Sequence, residues 1–175
     1  MRKHFAKSID SRASELLRKH KLFTVPIDVE AFAEKLGARV VFDDLDDDVS
    51  GFLLRENNVS TIAVNQSHHS NRQRFTIAHE CGHLVLHAGK EDQLWVDRAY
   101  SPVFFRNLHS GSGEKLHEVQ ANQFAAGVLM PEELLREQVK GDVSDLDILR
   151  LALRFKVSEQ AMTLRLVALD MLETA

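Results

Sequence analysis

Hydrophobic positions along the chain follow two different periods, and the places where the period changes outline its elements. From about Ala6 to His20, Ile9, Ala13, Leu16 and Leu17 recur at helical spacing, and after Pro26 the residues Val29, Phe32, Ala33 and Leu36 do so again. The pattern predicts two short helices, the second stopped at Gly37. Segments 39–42, 51–55 and 60–64 then read as strands, the last two joined across Glu56-Asn57-Asn58, a turn-forming triplet. They predict a small, mainly antiparallel sheet. The helical period returns after Asn65, with Asn71 as the expected N-cap and Gly89 just past the end. Residues 90–113 hold no sustained period and read as a long loop, uncommon in a compact domain and often functional. Further helices are expected over 114–129, from Pro131 to about Lys140, over 145–155 and over 159–172, with Ser158 capping the last. Helices and strands segregated in this way predict an α+β fold. Lys140-Gly141-Asp142 marks an expected boundary between a domain over 1–140 and a short helical segment over 141–175.

Composition narrows the function classes. The 175 residues suffice for one packed domain and a small appendage, and 44% hydrophobic content is ordinary for a globular chain. No apolar run approaches the roughly 20 residues of a membrane span. The opening Met1-Arg2-Lys3-His4-Phe5-Ala6-Lys7-Ser8 lacks the apolar centre of a secretion signal, so a cytoplasmic protein with no membrane contact is expected. A single cysteine excludes an internal disulfide, in keeping with a reducing compartment. The net charge of -4 disfavours a dominant nucleic-acid surface, and a peptide or protein substrate fits more easily than DNA. The acidic run Asp43, Asp44, Asp46, Asp47, Asp48 lacks the glycine and glutamate spacing of a calcium loop and reads as solvated.

Chemistry concentrates in His79-Glu80-Cys81-Gly82-His83, a His-Glu-x-x-His pattern inside an apolar helix, which is a zinc-protease signature. Residues four apart on a helix are separated by about 40° around the axis and roughly 6 Å along it, so His79 and His83 can aim at one ion. Glu80 falls about 60° from His83, beside the ion rather than on it, which is where a general base for a bound water belongs. Polar groups in a helix lined by Phe75, Ile77, Ala78, Leu84, Val85 and Leu86 must be paired or must bind a metal.

Catalytic zinc takes three protein ligands, and the candidate for the third is Glu118. It shares a helix face with Asn122, beside the small and apolar residues Ala121, Phe124, Ala125 and Val128 that permit close approach to the motif helix. Asn122 is placed to accept the outer N–H of a ligand histidine. His87 lies on the same face as His83, but three histidines on a straight helix spread over about 12 Å, too far for one ion. Glu114 and His117 are weaker candidates, Glu114 at a fraying helix start and His117 about 100° from Glu118. Cys81 points away from the ion as a small buried hydrophobe, and Gly82 permits close packing of a neighbouring element. In the long loop Tyr100, Arg106 and His109 can each donate a hydrogen bond to an oxyanion, but each reads equally as an ordinary loop residue and none is assigned a catalytic role.

These residues resemble those of the ImmA/IrrE metallo-endopeptidases of bacteria and their phages. The likeness runs through 26–31 (Pro-Ile-Asp-Val-Glu-Ala), 50–54 (Ser-Gly-Phe-Leu-Leu), 62–65 (Ile-Ala-Val-Asn), 72–83 and 118–126, with Leu129-Met130-Pro131. Departures are Cys81, where the family often has leucine, and Gly127-Val128 in place of a charged residue and leucine. The resemblance implies a zincin-like peptidase domain, zinc on His79, His83 and Glu118, and Glu80 as the catalytic residue; Mn2+ and Fe2+ also accept such ligands. It implies cleavage of a cognate helix-turn-helix repressor, relieving repression of mobile-element or stress genes. Residues 151–162 resemble a helix-turn-helix, for which repressor docking or a scaffold role is favoured over DNA binding, since acidic residues are interspersed. Two rival readings are a zinc-stabilised binding module that captures a repressor or DNA without hydrolysis, and a toxin–antitoxin component.

Overall fold

The computed structural model describes residues 2–89, 93–98, 113–139 and 141–172. In chain order its elements are α1 (Arg2–Lys19), α2 (Val29–Lys35), β1 (Ala38–Asp43), β2 (Val49–Glu56), β3 (Val59–Asn65), α3 (Ser70–Leu86), β4 (Gln93–Arg98), α4 (Gly113–Leu129), α5 (Glu132–Gln138), α6 (Asp145–Phe155) and α7 (Glu159–Ala168). The α+β class expected from the pattern is the one observed. No described helix is long and apolar enough to cross a membrane.

Contacts divide the chain into two units, one made of Met1–Ile27 with Ala126–Ala175 and the other of Asp28–Ala125. The second is built on a four-stranded sheet in the order β1-β3-β2-β4. β1 runs parallel to β3, and the other two pairings are antiparallel. Asn57 and Asn58, at φ 51° and 63°, close the β2–β3 hairpin, because asparagine tolerates the left-handed backbone that such a turn demands. α3 packs on β2 and β3, and α2 lies beside β1 and α3. Phe32, Leu53, Ile62, Ile77 and Phe124 are fully buried between these layers, with the Phe32 and Phe124 rings 6.4 Å apart. Asp28 starts α2 by accepting the Ala31 N–H at 3.0 Å.

In the first unit, α1 and α5 to α7 bury Leu17, Leu129, Leu135, Phe155 and Met162. Arg165 is almost wholly buried there and donates to Met130 O and to Asp10, each at 3.0 Å. Ser144 and Asp147 form a reciprocal capping box at the start of α6, and Lys156 ends that helix in the left-handed region at φ 54°. α7 follows at once, capped by Ser158 as expected.

Two expectations are corrected. The segment read as a loop over 90–113 contains β4, which pairs Leu94 with Leu54 and Trp95 with Leu53. Its three apolar residues stand in a row and two of them are exposed, so the alternation that marks a half-buried strand is absent. The cap of α3 is His69, whose Nδ1 accepts the Asn71 N–H at 3.2 Å, rather than Asn71 itself. Segments 51–55 and 60–64 are interior strands, and among the described strands β1 and β4 form the edges.

Candidate metal centre

α3 supplies the first half of the site. Its residues 76–83 are all buried, His79 and Glu80 completely and His83 to within 1%. Cys81 is fully buried as well, and burial, with the Glu80 charge adding to it, pushes its thiol well above the ordinary range. It acts as a small hydrophobe. α4 supplies the second half, and it approaches closely because residue 82 is glycine: a Cβ there would stand 2.9 Å from Ala121 Cα. Asn122 and Glu118, one turn apart on α4, thereby reach the two histidines.

His79 Nδ1 lies 2.7 Å from Asn122 Oδ1. Since the amide oxygen can only accept, Nδ1 carries the proton and donates it, leaving Nε2 of a neutral ring as a lone pair. That Nε2 faces His83 Nε2 at 3.0 Å and Glu118 Oε2 at 3.3 Å, while His83 Nε2 faces Glu118 Oε1 at 3.2 Å. Among the described residues these three form the cluster whose ligand atoms converge closely enough to hold a metal ion.

The donor set fits a divalent cation. A lone pair on His79 Nε2 set against a carboxylate oxygen is repulsive unless positive charge lies between them. A proton would supply that charge only by ionising a fully buried imidazole, which is costly. A cation supplies it without that cost. Three ligands on a tetrahedral ion, with bonds of about 2.0–2.1 Å, stand about 3.3–3.4 Å apart. The observed edges of 3.0, 3.2 and 3.3 Å are within a few tenths of this.

Protonation states agree with the geometry. Burial lowers the pKa of His83 and outweighs its hydrogen bond to Glu118, which keeps the ring neutral. For Glu118 burial acts to raise the pKa, but positive charge or a proton shared with the facing His79 and His83 nitrogens favours the ionised form and holds the carboxyl far below the usual range. Neutral imidazoles and an ionised carboxylate are the forms that bind metals. The Glu118 side chain is about half exposed, at 49%, so the cluster opens to solvent on the α4 side.

The remaining candidates sit around this cluster. His87 stacks on His117 with ring centroids 4.1 Å apart and donates Nε2–H to the His117 carbonyl at 3.2 Å, so neither joins the converging atoms. Burial pushes His87 down to about 4, with the His117 and His83 charges acting the same way. The Glu114 side chain and Tyr100, Arg106 and His109 lie outside the described residues. Sequence reasoning missed Trp95, whose ring stacks on His83 at 6.1 Å and 25°. The one signal available was that it is the sole tryptophan, flanked by Leu94 and Val96.

Comparison with known proteins bears on the same stretch of chain. Residues 33–167 match the model of a peptidase family described as the IrrE N-terminal-like domain. Over 89 residues the chain is 36% identical to the radiation response metalloprotease IrrE of Deinococcus radiodurans, a match covering 49% of this chain and 23% of that protein. A solved structure of a Mycobacterium tuberculosis transcriptional regulator resembles it with a TM-score of 0.59 over 91% of this chain and 46% of its own, at 19% identity. That likeness is one of fold. The chain thus spans about a quarter of the curated relative and under half of the structural one.

Proposed function

The chain belongs to the IrrE N-terminal-like family of metallopeptidases, and from that premise we propose that it is a zinc-dependent endopeptidase acting on a protein substrate. The observation that carries the reading is the triangle of His79 Nε2, His83 Nε2 and Glu118, with Asn122 fixing the His79 tautomer. His79, His83 and Glu118 would hold the metal. When bound, zinc supplies Lewis acidity toward the scissile carbonyl and lowers the pKa of water.

The chain's own groups do the rest. Asn122 accepts the Nδ1–H of His79 and keeps the opposite lone pair aimed at the centre. Glu80 takes the proton of the attacking water and delivers it to the leaving amine, a task for a carboxylate one residue from the first ligand. An extended substrate segment pairs with β4, an edge strand among the described residues and the one that carries Trp95 next to His83.

The substrate we favour is a cognate helix-turn-helix repressor whose removal turns on stress or mobile-element genes in the cytoplasm. Membership of the family supports this, and residues 141–175 would serve in docking it. The test incubates the zinc-loaded chain with the repressor encoded beside its gene, with Glu80→Gln and chelator-treated protein as controls. Cleavage by the wild type alone is expected. Equal cleavage by Glu80→Gln removes Glu80 from the chemistry, and tight binding with an intact repressor favours a non-catalytic binding module.

A further inference from the structure

The two histidines of the centre are held by different means. His79 is tied by its hydrogen bond to Asn122. His83 Nδ1 is buried and has no hydrogen-bond partner among the described residues. Rotation about the last side-chain torsion of histidine is soft, so a ring without that bond must be held by packing. The His83 ring is flanked by Trp95, with centroids 6.1 Å apart and planes 25° apart, and by His87 at 5.6 Å and 58°. The Trp95 contact is the near-parallel one.

Sheet register delivers Trp95 to this position. It pairs directly with Leu53, and cross-strand partners share a face of the sheet. Leu53 is fully buried on the side that α3 covers, so Trp95 points to that side, while its neighbours Leu94 and Val96 are 59% and 42% exposed. A tryptophan ring is rigid and broad, and an offset stack at this distance is a favourable aromatic arrangement.

We propose that Trp95 is the positioning residue of His83, holding its ring toward the metal by stacking as Asn122 holds His79 by a hydrogen bond. The inference rests on His79, His83 and Glu118 being the ligands. Trp95 touches neither metal nor substrate in this role; it sets the direction of a lone pair. Loss of the stack frees the imidazole to turn. Outer partners of metal ligands typically contribute about 10- to 100-fold in metal affinity, and removal of Trp95 belongs in the lower part of that range because His87 still flanks the ring.

The sole tryptophan also makes the test direct. The full chain, stripped of metal, is titrated with Co2+ while tryptophan emission is followed, and zinc affinity is measured by competition with a chelating indicator for wild type, Trp95→Leu and Trp95→Phe. One equivalent of Co2+ should quench most of the wild-type emission. Trp95→Leu should bind zinc about tenfold more weakly, and Trp95→Phe, which keeps a ring, should recover most of the loss. Should Trp95→Leu fail to fold, the wild-type quenching and Trp95→Phe decide. Zinc affinity unchanged in Trp95→Leu, or emission unchanged at full Co2+ occupancy, overturns the inference while leaving the metal centre intact. If the wild type takes up no equivalent of either ion, the reading of the centre fails and the inference falls with it.

Discussion

Replacing Gly82 by alanine tests whether the approach of α4 to α3 builds the centre. The added methyl would lie 2.9 Å from Ala121 Cα, 3.0 Å from Ala121 O and 3.3 Å from Ala121 Cβ. Carbon atoms in ordinary contact stand about 3.5–4.0 Å apart, so the α4 backbone must retreat by about 0.6 Å or more. Two effects compete in stability. Alanine in a helix interior is favoured over glycine by about 0.8–1 kcal/mol. Overpacking a tight contact costs about 1–3 kcal/mol, and here the obstacle is backbone, which has no alternative rotamer to adopt. The steric cost prevails, for a net loss of about 1 kcal/mol. Glu118 lies three residues before Ala121 on the same helix, so it recedes with that backbone and stretches the 3.2 and 3.3 Å edges of the triangle. Zinc affinity should therefore fall along with stability. Urea unfolding of the metal-free proteins and zinc competition titrations measure the two effects separately. If Gly82→Ala is stabilised by about 1 kcal/mol with zinc affinity unchanged, propensity has won and the close approach is irrelevant to the centre.

Two other outcomes follow from single groups. Because burial, with Glu80 adding to it, raises the Cys81 thiol far above its ordinary range, the folded protein should resist iodoacetamide at pH 8 and react once unfolded; rapid modification of the folded form would contradict the packing of α3. Asp147 is lowered by the Ser144 hydroxyl first and the Ser144 backbone N–H second. A carboxyl whose folded pKa is depressed contributes its stability in full above the unfolded value of about 3.9 and loses it as pH falls through the lower folded value. The difference in urea midpoint between wild type and Ser144→Ala should accordingly be larger at pH 7 than at pH 2.5, and a difference that grows on acidification would show the sign to be wrong.

What sequence could reveal of the fold depended on how much each element buries. α3 was legible because its apolar residues and its two histidines share one helical period, and Glu118 because Asn122 stands one turn beyond it beside small residues. Both features are local, and helix geometry alone converts them into a spatial statement. The strands β2 and β3 were legible as segments, but their place inside the sheet was not. Order across a sheet is decided by long-range pairing, and here it depended on β4, a strand that sequence reading passed over. An edge strand with Leu94 and Val96 exposed has little burial to impose a pattern on its residues. The cap of α3 went astray for a related reason: asparagine outranks histidine as an N-cap by general propensity, yet the chain turns into the helix at His69, and its ring nitrogen was the acceptor within reach.

The missed strand matters beyond the count of elements, because it changes which residues belong to the centre. With β4 unrecognised, His83 has the same surroundings on paper as His79, an imidazole on an apolar helix. With β4 in register against β2, Leu53 and Trp95 become neighbours, and the asymmetry between the two histidines acquires a physical cause. One ring is oriented by an amide one turn from Glu118, the other by an aromatic surface reached only through the sheet. Helix-to-helix contacts at Gly82 and Ala121 thus set the position of the carboxylate, while strand pairing sets the environment of the second imidazole. A substitution that loosened β4 without touching α3 or α4 should therefore weaken metal binding through His83 and leave the His79–Asn122 bond in place.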